Sequence, residues 1–122
     1  MAAEGCARCL GAPAPLAWAA VNGEATHTFV HDVHFTVHAT RCACGQPFVV
    51  VFTERVSFHD DSDTQVELAV WVSPEELSQL KAAPDALTPT LTRLAQGRRF
   101  LVKSTGVEPR WVDGGFAIGP HG

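Results

Sequence analysis

The sequence predicts an α+β fold dominated by an antiparallel β-sheet, with one or two short helices and a four-cysteine site. Three observations carry that expectation. Residues 33–40 alternate apolar and polar, and residues 48–52 and 66–72 are short apolar runs rich in valine and aromatics, both patterns of β-strands. Ser73-Pro74-Glu75-Glu76 follows the last run with a helix-start signature. Two close cysteine pairs, Cys6-Ala7-Arg8-Cys9 and Cys42-Ala43-Cys44-Gly45, supply four soft ligands near the sheet.

Taken in order, Gly11-Ala12-Pro13-Ala14-Pro15 reads as a stiff, non-helical connector after the first pair. Leu16 to Val21 reads as a short strand, because Asn22-Gly23 behind it is a strong two-residue hairpin signal and a returning strand should follow. In the next strand Val33, Phe35, Val37 and Ala39 share one face, while His34, Thr36, His38 and Thr40 share the other. This strand runs into Cys42, and Phe48 to Phe52 pairs back on it, which sets the second cysteine pair at a hairpin tip. His59 to Thr64 is an acidic loop and Val66 to Val72 a third core strand.

The helix opened by Ser73 buries Leu77 and Leu80 and stops at Pro84. Thr88-Pro89 repeats the start signal for a second short helix with Leu91, Leu94 and Ala95 inward, ended by Gly97. Phe100 to Lys103 and Arg110 to Val112 are late strands. The chain reads as one zinc-stapled domain, 1–122: an N-terminal knuckle 1–15, a β-rich core 16–72, a helical segment 73–97, and C-terminal strands with a Gly-rich tail 98–122.

At 46% hydrophobic and 18% charged residues, the chain has the composition of a globular domain, and no apolar run approaches the roughly 20 residues of a membrane span. No basic and apolar leader is visible at Met1 to Gly5, so the expected address is cytoplasmic, where paired cysteines serve metals or redox chemistry more often than structural disulfides. The formal charge of -4 argues against nucleic-acid binding by bulk electrostatics and for a protein partner. Arg98, Arg99 and Lys103 read as a solvated strand face, and Trp18, Trp71 and Trp111 as core or semi-buried residues.

Four thiolates close a tetrahedral zinc shell and leave no coordination position for a substrate, so the expected role of Cys6, Cys9, Cys42 and Cys44 is to hold a structural Zn2+, with iron as the competing metal. The two pairs resemble the knuckles of the zinc-ribbon class, in which hairpin-borne cysteine pairs close one structural zinc. The resemblance covers only these positions. Ala7 stands where proline is common, the second pair is Cys-x-Cys, and residues 10–41 make a longer interval than the usual ribbon's, which a hairpin inserted over Leu16 to Val30 would absorb.

Two rival chemistries follow from the same residues. A metal-dependent enzyme would need a second ion on His27, His31, His34, His38, His59, Asp32 and Asp60. Against it, residues four apart on a strand stand ~13 Å apart, and strand neighbours such as His31-Asp32 face opposite sides. A thiol redox protein would use Cys6 and Cys9, but Gly11 and two prolines follow where such sites place a helix N-terminus. Asp60-Asp61-Ser62-Asp63 lacks the glycine and glutamate of a calcium-binding EF-hand loop, and no nucleotide or nucleophile-elbow motif is present. The expectation is a non-enzymatic protein-binding or adaptor module, with toxin-neutralising immunity proteins as one example of small domains of that kind.

Overall fold

The computed structural model describes residues 9–23, 25–32, 35–56, 63–104 and 106–113. Within them six strands form one antiparallel sheet whose spatial order is the order in sequence: β1 (His27–His31), β2 (Phe35–Arg41), β3 (Pro47–Val56), β4 (Asp63–Trp71), β5 (Arg99–Ser104) and β6 (Arg110–Asp113). Helix α1 (Ala14–Val21) precedes the sheet, while α2 (Pro74–Ala82), a 3-10 turn (Pro84–Ala86) and α3 (Leu87–Gln96) lie between β4 and β5. The expected α+β class with a predominantly antiparallel sheet is therefore observed, with three helices among the described residues rather than one or two.

The central strands explain why the sheet is covered on both sides. Val49, Val50 and Val51 are consecutive and all fully buried, which a strand achieves only when both of its faces are packed. On one face Val37, Val49, Val51, Leu68, Val70, Phe100 and Val102 pack against Leu80 of α2 and Leu87, Leu91 and Ala95 of α3. On the other, Phe48, Val50, Ala69 and Leu101 pack against Ala14, Ala17, Trp18 and Val21 of α1, and with Cys9 and Cys42. The register agrees: Val37 pairs Val51, which pairs Leu68, which pairs Val102, while His38 pairs Val50, which pairs Ala69, which pairs Leu101.

Helix α2 begins as its sequence dictates. The Ser73 side chain accepts from the Glu76 backbone N–H at 3.1 Å and the Glu76 carboxylate accepts from the Ser73 N–H at 2.8 Å, a complete capping box with proline in the first turn. Helix α3 starts earlier than Thr88-Pro89 suggests, at Leu87, because the 3-10 turn at Pro84–Ala86 feeds the chain directly into it.

The stretch expected to be a strand, Leu16 to Val21, is instead most of α1, so no hairpin is inserted over Leu16 to Val30 and the connector through Ala14 and Pro15 is already helical. Its buried residues, Ala14, Ala17, Trp18 and Val21, repeat at helical spacing, and proline in the first turn tolerates the missing N–H there. Asn22 ends the helix, its N–H bonding to Trp18 O at 2.9 Å, rather than turning a hairpin. The returning strand exists as β1, but it pairs with β2, with a bulge between Thr28 and Val30. Asp63 and Thr64, expected in the acidic loop, belong to β4; residues 33–34, 59–62 and 114–122 lie outside the described residues.

Candidate metal centre

The second cysteine pair occupies the turn between β2 and β3. Cys42 N–H donates to Gln46 O at 3.1 Å and Gly45 N–H to Cys42 O at 2.9 Å, so Ala43, Cys44 and Gly45 form a tight loop on a closed hairpin. Gly45 sits at φ 97°, a conformation that favours glycine; a side chain there would meet no neighbour but would strain the backbone. Beneath the loop, the fully buried Gln46 amide donates to Val72 O at 2.8 Å and Pro47 O at 3.0 Å, fixing the turn to the chain leading into α2.

Cys9 arrives from a separate part of the chain. Ala12 N–H donates to Cys9 O at 3.2 Å, a turn that leads into α1. Two side chains from the last two strands, β5 and β6, hold the same segment: Arg99 donates to Leu10 O at 2.7 Å and Trp111 Nε1 to Ala12 O at 2.9 Å. The Arg99 guanidinium lies 4.1 Å above the Trp111 ring, so each fixes the other. Arg99 is thus engaged rather than simply solvated.

The result is a cluster in which the Cys9, Cys42 and Cys44 sulfurs all lie within 4.8 Å of one another. Cys9 and Cys42 are buried and Cys44 is exposed, and no disulfide links them. The Cys9 and Cys44 sulfurs are 3.9 Å apart. Four sulfurs held ~2.3 Å from a tetrahedral zinc stand ~3.8 Å from each other, so this separation suits two ligands of one ion. Three thiols in this arrangement could bind a metal ion. Cys6, the fourth expected ligand, lies outside the described residues, as does Arg8; Arg41 is exposed.

The histidines are arranged differently. His27 and His31 are exposed on β1, with His27 edge-on to Phe29 at 4.7 Å between ring centres. His38 is half-buried on β2, and burial lowers its pKa. Among the described residues no group of three histidines or carboxylates comes within reach of one ion; His34, His59 and Asp60 lie outside them.

A second polar arrangement, which the sequence does not announce, stands at the start of α2. Arg98 forms a bidentate pair with Glu76 at 2.8 Å for both contacts, donates to Trp71 O at 2.9 Å and stacks 4.2 Å over the Trp71 ring. These hydrogen bonds hold the Glu76 carboxyl below the usual range. Lys103 stands opposite the half-buried Glu67, whose carboxyl is raised by burial and lowered to a lesser extent by that lysine. Trp18 is buried and Trp71 and Trp111 are half-buried.

Among the described residues no helix is long and apolar enough to cross a membrane. No family model, no curated protein and no solved structure matches the chain.

Proposed function

We propose that Cys6, Cys9, Cys42 and Cys44 bind one structural zinc ion in a small, non-enzymatic module that binds a protein partner. The observation that carries the metal reading is the convergence of Cys9 with Cys42 and Cys44 within 4.8 Å, from two turns far apart in sequence. Cys6 is separated from Cys9 by two residues, the spacing at which one turn offers two thiolates to the same ion. The zinc would supply a fastener between the N-terminal segment and the β2–β3 turn. Two of the three described ligands sit inside an apolar cluster, an environment suited to a closed shell rather than to substrate access.

The binding role is our reading of the chain's charge together with the closed character of the proposed shell. The described histidines and acids assemble no second metal group, and the formal charge of -4 favours a protein over a nucleic acid as the partner. A reducing compartment such as the cytoplasm would keep the thiols available. Metal analysis of protein purified without added metal tests the reading, and about one zinc per chain is expected, abolished in Cys42→Ser. A second ion lost on mutating the histidines, or iron in place of zinc, would sink it.

A further inference from the structure

The three described sulfurs do not face the same surroundings. Cys9 and Cys42 are 0% and 2% exposed, whereas Cys44 stands on the outside of the β2–β3 turn. A solute can therefore reach one sulfur of the cluster first, and that sulfur has the buried Cys9 sulfur 3.9 Å away. An accessible thiolate beside a second thiol is the arrangement in which oxidation ends in a disulfide rather than in over-oxidised sulfur.

We propose that Cys44 and Cys9 are a peroxide-oxidisable pair, and that the disulfide they form replaces the metal as the fastener of the N-terminal segment. The resting, metal-loaded state in this proposal rests on the reading of the preceding subsection. In the first step the Cys44 thiolate attacks one oxygen of hydrogen peroxide; the S–O bond forms, the O–O bond breaks and hydroxide leaves, giving a sulfenic acid. In the second the Cys9 thiolate attacks that sulfur; the S–S bond forms, the S–O bond breaks and a second hydroxide leaves. Two thiolates lose two electrons and one peroxide gains them. The ion loses two sulfur ligands and departs.

The alternative partner for Cys44 on its own turn is disfavoured by ring closure. A Cys42–Cys44 disulfide would have to close inside the tight loop already pinned by the Gly45 N–H to Cys42 O bond. Cys9 belongs to another segment and closes a loop of 35 residues' separation. A bond there joins the two parts that the metal joins, so the chain exchanges one cross-link for another and the α1 face stays docked.

The test uses zinc-loaded protein treated with hydrogen peroxide while a chromogenic chelator reports released zinc. Trypsin cuts after Arg8, Arg41 and Arg55, so Cys6, Cys9 and the Cys42/Cys44 pair fall on three different peptides, and backbone fragmentation at Ala43 separates Cys42 from Cys44. The expected result is one Cys9–Cys44 link per zinc released, and a thermal midpoint for the oxidised, metal-free chain close to that of the loaded one and above that of the reduced, chelated one. In reduced, metal-free Cys44→Ser, peroxide should oxidise Cys9 roughly tenfold or more slowly than in the reduced, chelated wild type. A dominant link through Cys6 or within the Cys42/Cys44 peptide overturns the proposal. So does sulfinate at Cys44 without a link, or an oxidised chain no more stable than the reduced, chelated one. Should the purified chain hold no zinc, the structural-metal reading fails by itself, and peroxide treatment of the reduced chain with the same mapping still decides the pair.

Discussion

On the α2/α3 side of the sheet, Leu68, Phe100, Leu80 and Leu91 interlock as large side chains, all within a percent of full burial. On the α1 side the helix contributes Ala14, Ala17, Trp18 and Val21, and the segment before it Cys9 and Ala12. Apart from Trp18 these side chains are small and bury little apolar area each, and hydrophobic stabilisation scales with that area. The first side is therefore held mainly by packing. The second adds discrete ties: Thr40 Oγ1 donating to Val21 O at 2.6 Å, Arg99 to Leu10 O, Trp111 to Ala12 O, and the cysteine cluster. One sheet is thus joined to its two covering layers by different physics, and the metal reading gains its meaning on the side with less to pack.

Substitutions should separate the two sides. Phe100→Ala, which opens a cavity between the sheet and α3, should cost about 3–5 kcal/mol in denaturant unfolding, with or without chelator. Equal loss in Cys42→Ser and Phe100→Ala, both insensitive to chelator, would erase the contrast. Cys42→Ser, or zinc removal from the reduced wild type, should cost about 4 kcal/mol, the scale of a cross-link closing a loop of this length. Hydrogen exchange should then show lost protection in α1 while α3 stays protected.

Trp111→Phe keeps a ring under Arg99 and removes the hydrogen bond to Ala12 O, so a loss of about 1 kcal/mol is expected, together with weaker metal retention in a competition assay. The smallest effect is an acid-side one on the packed face. Hydrogen bonds from Arg98 hold the Glu76 carboxyl below its ordinary 4.5, so its contribution is complete above that pH and disappears as the pH falls through the folded value. Glu76→Gln should flatten stability against pH in that acid range and leave zinc binding unchanged; titration of the unfolding midpoint from pH 6 downward reads both limbs.

What the sequence disclosed depended on how far apart the interacting residues were. The capping box of α2 is legible because Ser73 and Glu76 satisfy each other within one turn, and the β2–β3 pairing because both strands carry their own patterns beside a tight loop. Helix α1 is masked because Asn22-Gly23 is a hairpin signal in isolation; the spacing of Ala14, Ala17, Trp18 and Val21 carries the competing information, together with proline in the first turn. The meeting of Cys9 with Cys42 and Cys44 is suggested by the paired spacing. The Arg99 and Trp111 ties are not, since their backbone partners lie 89 and 99 residues away and carry no side-chain signature.

Those last two ties impose an order of events. Each strand of the sheet pairs with its neighbour in sequence, so the meander can grow by adding adjacent strands as the chain emerges during synthesis. Leu10 and Ala12, made near the beginning, receive their hydrogen bonds from residues on β5 and β6, nearly a hundred positions later. Through that interval the cysteine beside them can meet Cys42 and Cys44 but cannot be locked against the finished sheet. The meeting of the cysteines and the final docking of the same short segment are thereby separated in time, with the thiols exposed before the clasp that seats them exists.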